Sequence, residues 1–111
     1  AYADALVRSR FAATGASGRA LRDMLSRKGL GADVIERAVA QIDHDDEEAR
    51  ADDLVARRRR SLRGVSRQTA YRRSMLARKG YSPSVASAAV SRALASWESE
   101  ERGQEEQWDT P

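Results

Sequence analysis

Apolar residues recur along the chain in short helical clusters. Leu6, Val7 and Phe11 mark one helix, and Leu54, Val55 and Leu62 mark another. Val34, Ile35, Ala38, Val39 and Ile42 fall on one stripe of a 3.6-residue helix. Val85, Ala89, Val90, Ala93, Leu94 and Trp97 form a second such stripe. Nothing alternates with period two over a useful length, so no strand is expected. The pattern predicts an all-α fold.

The same pattern repeats. MLSRKGLGADVIERAVA (24–40) matches MLARKGYSPSVASAAVS (75–91) at eight of seventeen positions, among them Gly29/Gly80 and Val34/Val85. Upstream, ADALVRSR (3–10) parallels ADDLVARR (51–58), at an offset of 48 rather than 51. Two copies of one unit are therefore present, with a loop three residues longer in the second. Each copy reads as three helices. The second helix is expected from about Arg19 to Lys28, and from about Arg67 to Lys79, with Ser17 and Ser66 as N-caps. Arg-Lys in the last turn and a following glycine give these helices a clear stop, and Leu30 or Tyr81 supplies the apolar contact of a Schellman ending. Ser82-Pro83 opens the last helix as N-cap and N1. Asp43–Glu48 joins the copies, with Asp45 to Glu48 in the first turn of the next helix. The expected organisation is one three-helix repeat over 1–44, a second over 45–97, and an acidic extension over 98–111. That extension is expected to be a frayed helix and then a disordered tail, with Trp108 incidental in it.

Composition narrows the chemistry. Of 45 apolar residues 20 are alanine, which leaves a thin core and no deep, water-free cavity. The chain has no cysteine and one histidine, His44, so disulfides, thiolate sites and multi-histidine metal centres are excluded. No apolar run reaches the ~20 residues of a membrane span, and the N-terminus has no signal-peptide pattern. These features point to a soluble, cytoplasmic protein with no membrane partner. The net charge of +3 hides a strong asymmetry. Residues 57–97 carry eleven basic side chains and no acid, while 43–56 sum to −6 and 98–111 to −5. A 41-residue stretch without an acid calls for a polyanionic partner, unless the acidic blocks screen it from within the chain.

Enzymatic readings fail on inventory. His44 sits in an acidic linker on no apolar face, and the acids from Asp43 to Glu48 lack the spacing of a calcium loop. There is no P-loop or GxGxxG element, so no cofactor and no metal are expected. The candidate binding residues are basic: Arg57, Arg58, Arg59, Arg60 and Arg63, then Arg67, Arg72, Arg73, Arg78 and Lys79, with Arg27 and Lys28 in the first copy. The planar fork of arginine suits phosphates and carboxylates alike. Arg72 stands where the first copy has Leu21, a core position, so Tyr71 is expected to take over by a small rotation of the helix. Residues 75–94 also have the rhythm of a helix-turn-helix unit, and sequence-reading DNA binding is the alternative. That helix offers serines, alanines and only Arg92 as a strong base reader.

The order, duplication and spacing of ADALVRSR, GRALRDMLSRKGL with its Val-Ile-x-x-Ala helix, and RRSMLARKGYSPSVASAAV resemble the RecX regulators of the bacterial recombinase RecA. The resemblance covers roughly residues 1–97 and corresponds to the second and third of the family's three-helix repeats. It implies an elongated, curved array of repeats and a non-enzymatic, monomeric modulator. The implied partner is RecA, in the groove of its filament on single-stranded DNA, with DNA itself as a second partner. The implied effect is suppression of RecA's ATP hydrolysis, strand exchange and coprotease activity, which places the protein in recombination, DNA repair and the SOS response. The chain begins inside a helix pattern and the first repeat has no counterpart in it, so a truncated form is expected. The family has no single catalytic residue to carry over.

Overall fold

The computed structural model describes the backbone of residues 1–108 and the side chains of residues 1–104. It contains α1 (Tyr2–Thr14), α2 (Gly18–Arg27), α3 (Ala32–Val39), α4 (His44–Arg57), α5 (Arg59–Leu62), α6 (Arg67–Ser74) and α7 (Pro83–Trp108), with no strand among the described residues. The body is elongated, 65 × 22 × 19 Å. Its radius of gyration is 17.3 Å, against about 13 Å for a compact domain of this length.

The apolar residues gather into two separate clusters. The first joins Ala3, Val7, Leu21, Leu25, Ile35, Ala38 and Val39. The second joins Ala51, Val55, Leu62, Ala70, Leu76, Tyr81, Val85, Ala86, Ala89, Val90 and Trp97. Repeat-equivalent positions are buried alike: Ala3 with Ala51, Val7 with Val55, Leu25 with Leu76, Ala38 with Ala89 and Val39 with Val90. Each fully buried leucine contributes about 1.5–3 kcal/mol by leaving water. One stripe position departs from expectation, because Val34 is solvent-exposed while its counterpart Val85 is buried.

Among the described residues, side-chain caps start three of the seven helices, α4, α6 and α7. Asp43 accepts the Asp46 N–H at 2.8 Å and starts α4. Ser66 accepts the Thr69 N–H at 3.2 Å and starts α6. Ser82 accepts the Val85 N–H at 3.3 Å ahead of Pro83. Ser17 stands at the N-cap of α2 but makes no side-chain cap; its hydroxyl donates instead to Glu47 at 2.6 Å. At the end of α2, Gly29 has φ 83°. Leu30 N–H reaches Leu25 O and Gly29 N–H reaches Ser26 O, the two bonds of a Schellman motif. Tyr81 to Leu76 and Gly80 to Ala77 repeat both bonds in the second copy.

The expected helix from Arg67 to Lys79 is broken. It stops at Ser74, and Met75 takes a left-handed conformation with φ 64°. The cause lies in register. In the first copy Leu21 and Leu25 are four residues apart and share one helix face, so α2 runs unbroken. In the second copy Arg72 is exposed and the buried positions are Ala70 and Ser74, followed by Leu76. Ala70 and Leu76 are six residues apart, about 240° around a continuous helix. The left-handed residue turns the chain so that Leu76 still reaches the core. The rotation expected from the Leu21-to-Arg72 exchange is thus concentrated at a single residue. Ser74 stabilises the break, donating to Tyr71 O at 2.6 Å and accepting Leu76 N–H at 3.4 Å.

The two units meet along a polar seam. Ser17 N–H donates to Lys79 O at 2.8 Å and Arg19 N–H to Gly80 O at 3.3 Å, so the α2 N-terminus is capped by the turn that follows α6. Gly80, at φ 99°, lies so close to Ser17 O and Ala20 N that a Cβ would overlap both. The C-terminus of α1 has no basic residue in its last turn. Cations from the second unit serve it instead. Arg50 donates to Phe11 O at 3.3 Å and Ala12 O at 3.1 Å, and Lys79 donates to Thr14 O at 2.6 Å. Beside them the hydroxyl of buried Tyr81 has no hydrogen-bond partner among the described residues. Burial pushes its pKa from 10 up to about 12, with Arg50 pulling down and Glu47 pushing up.

Helix α7 continues through the acidic segment as far as Trp108. The expected disordered tail beyond that residue, and any role for the Trp108 side chain, lie outside the described residues.

Two outcomes follow. Met75→Gly relieves the left-handed residue and raises stability by up to about 1 kcal/mol, whereas Met24→Gly, inside α2, lowers it by about 1 kcal/mol or more. Urea unfolding of the pair measures this opposite sign, and equal losses would refute the break at residue 75. For Tyr81, the unfolded phenol ionises near 10 and the folded one near 12. Its contribution is therefore intact below pH 10 and lost as pH rises to 12. Tyr81→Phe removes that alkaline decline relative to wild type, read from denaturation midpoints across pH 9–12.

Candidate basic interaction surface

The basic residues of 57–97 divide by what already holds them. Arg57 pairs with Asp53 at 3.2 Å, one turn back on α4. Arg59 pairs with Glu100 at 2.6 Å and Arg63 with Glu101 at 2.7 Å, both on α7. The Arg59 guanidinium also lies 5.5 Å from the Trp97 ring centroid. Arg92, the strongest base-reading candidate, is turned onto α4, where it meets Asp52 at 2.8 Å and Glu48 at 3.8 Å. Arg73 donates to Ser61 O at 3.0 Å and ties α6 to α5. Lys79 is half-buried in the seam.

Arg58, Arg60, Arg67, Arg72 and Arg78 remain, all exposed and with no ion pair among the described residues. Arg58 and Arg60 flank the α4–α5 break, Arg67 opens α6, Arg72 closes it and Arg78 sits in the turn beyond. All five belong to the second unit. Arg27 and Lys28 are also exposed, but they close α2, about 15 Å along that helix from the seam at its other end. They stand apart from the second-unit arginines.

Two grooves accompany this surface. One, of about 530 Å³, lies between the α5–α6 connection and α7, with Arg63, Ser66 and Arg67 on one wall and Glu98 and Glu101 on the other. The second, of about 790 Å³, follows the seam and is lined by Arg19, Arg22, Glu36, Glu47 and Tyr81 among others. Arg22 and Glu36 bridge across it at 2.8 Å. His44 is exposed and faces Glu48 at 3.5 Å. Among the described residues no group of three metal-ligating side chains occurs, and no helix is long and apolar enough to cross a membrane.

Sequence reasoning missed two sets of residues. Arg50 holds the seam, and its pairing with Asp53 was legible from the i,i+3 spacing. Its bonds to Phe11 O and Ala12 O, across 39 and 38 residues, had no local signal. Glu100 and Glu101 were placed in a fraying extension, yet they neutralise two candidate arginines. These pairs are solvent-exposed, each worth about 0.2–1 kcal/mol.

Comparison with known proteins adds a family to this geometry. Residues 1–39 match the model described as RecX, second three-helix domain. Regulatory protein RecX of Streptomyces coelicolor is 47% identical over 96 residues, covering 85% of this chain and 51% of that protein. Regulatory protein RecX of Amycolatopsis mediterranei is 43% identical over 82 residues, 72% of this chain and 47% of the relative. The corresponding protein of Thermobifida fusca is 40% identical over 87 residues, 77% and 47% respectively. The chain thus spans about half the length of the curated relatives it matches. No solved structure matches it significantly.

Proposed function

Because the chain belongs to the RecX family, we propose that it is a non-enzymatic regulator of RecA that acts in the cytoplasm. On this reading it lies along the RecA filament on single-stranded DNA and lowers ATP hydrolysis, strand exchange and coprotease activity. The observation that carries the reading is the surface of the second unit. Five exposed arginines, without ion pairs among the described residues, spread from the α4–α5 break to the turn after α6 of an elongated body. A partner that presents acidic side chains and phosphates along a groove is met by such a surface through many moderate contacts rather than one pocket. The two clusters are read as two three-helix repeats, the first matching the family's second domain. Arg27 and Lys28, at the far end of the first unit, are assigned a secondary contact. The protein acts as a monomer and requires neither cofactor nor metal.

The test is RecA's single-strand-dependent ATP hydrolysis, titrated with this chain at near-physiological salt. Wild type inhibits at less than one chain per RecA. Reversal of Arg57 to Arg60 to glutamate weakens inhibition at least about tenfold while the helical circular dichroism is retained, because it inverts four charges around the α4–α5 break, the exposed Arg58 and Arg60 among them. Unchanged inhibition by the reversed variant would remove this surface from the reading. No effect of either protein on RecA, together with tight and sequence-dependent duplex binding, would replace it with a helix-turn-helix DNA-binding function.

A further inference from the structure

The groove between the α5–α6 connection and α7 carries opposite charge on its two walls. Arg63 and Glu101 line it and meet at 2.7 Å, and one helical turn before Arg63, outside that lining, Arg59 meets Glu100 at 2.6 Å. Those acids come from the end of the chain, 41 and 38 residues away. They lie where α7 has outrun its apolar stripe, which ends at Trp97. Among the described residues, none after Trp97 on α7 belongs to the buried core. All four side chains are between two-fifths and just over one-half exposed, so water and other anions reach the pairs. Arg67 lines the same groove without a partner among the described residues, and Glu98 lines it opposite.

We propose that Glu100 and Glu101 stand in for two phosphates of a single-stranded nucleic acid, and that a strand displaces them from Arg59 and Arg63 as it runs from the start of α5 into this groove. The inference rests on the reading of the second unit as a surface for RecA–DNA filaments and deepens it. A carboxylate and a backbone phosphodiester each carry one negative charge and both accept the forked donors of arginine, so either can satisfy the same guanidinium. A strand that also meets Arg58, Arg60 and Arg67 neutralises more arginines than the two glutamates do. The acidic end of α7 therefore lowers affinity for free single strands without abolishing it. A strand held at high local density, as in a filament, overcomes the competition where a dilute one does not.

The experiment is fluorescence anisotropy of a labelled twenty-nucleotide oligothymidylate with the full chain, from 50 to 300 mM salt. Glu100→Gln with Glu101→Gln binds at least about fivefold tighter than wild type. Its salt dependence steepens by about 1.4 in log–log slope, the value for two more neutralised phosphates on a single strand. Asp23→Asn with Asp45→Asn adds the same two charges elsewhere and changes affinity less than twofold. Arg59→Ala with Arg63→Ala, in the Glu100→Gln, Glu101→Gln background, abolishes the gain. A glutamine variant that binds no tighter than the asparagine control overturns the competition. If Arg58→Glu with Arg60→Glu still weakens both oligonucleotide binding and RecA inhibition, the broader surface reading survives that result. Absence of oligonucleotide binding by every variant, with RecA inhibition insensitive to Arg58→Glu and Arg60→Glu, overturns both.

Discussion

The junction on which the structure turns is the approach of Gly80 to the first turn of α2. Two backbone bonds, Ser17 N–H to Lys79 O and Arg19 N–H to Gly80 O, cross there. They set the angle at which one three-helix unit follows the other. The approach is possible only because residue 80 has no side chain. The same glycine closes a Schellman turn within its own unit, so one residue ends a helix and begins an interface. Around this contact Arg50 and Lys79 supply the positive charge that the end of α1 lacks. Position 80 is therefore bound to glycine for reasons in both units, whereas Gly29 has open space around it.

Charge follows a second logic. The acid-free stretch is shielded in part from within. Arg57, Arg59, Arg63 and Arg92 face carboxylates from the acidic blocks on either side of it. What is left is concentrated on the α4–α5 break and on α6 and its following turn. The exposed surface is thus smaller and more sharply placed than the sequence count of eleven cations implies.

Most of the architecture was legible in the residues. Helical spacing gave the all-α fold, the duplicated segments gave matching buried positions, and Arg-Lys-Gly gave the stop of α2 but not that of α6, which ends at Ser74. What was not legible has identifiable causes. Met75 is left-handed because Arg72 shifted the buried face, and a rotation can be spread along a helix or collected at one residue. Sequence spacing does not choose between these. Val34 is exposed because α3 is short and presents Ile35, Ala38 and Val39 to the core. Ser17 makes no side-chain cap because its hydroxyl is turned toward Glu47, thirty residues on, to which it donates. The pairs between α5 and α7 join residues 38 and 41 apart, where no periodicity speaks. Those distant partners add a modest support to the first turns of the acidic segment, whose described residues lack an apolar stripe.

Two hydrophobic clusters that share a polar, largely backbone-borne seam have a consequence for how such a chain gains and loses length. Each unit fills its own core, and a neighbour supplies only the two backbone bonds and the few side chains of the seam, Arg50, Lys79 and Glu47 among them. Cooperativity between units is then a nearest-neighbour quantity, as in other stacked repeats. A protein assembled on this rule can be lengthened or shortened by whole modules without repacking any interior. The structural unit of such a change is the three-helix repeat rather than the single residue.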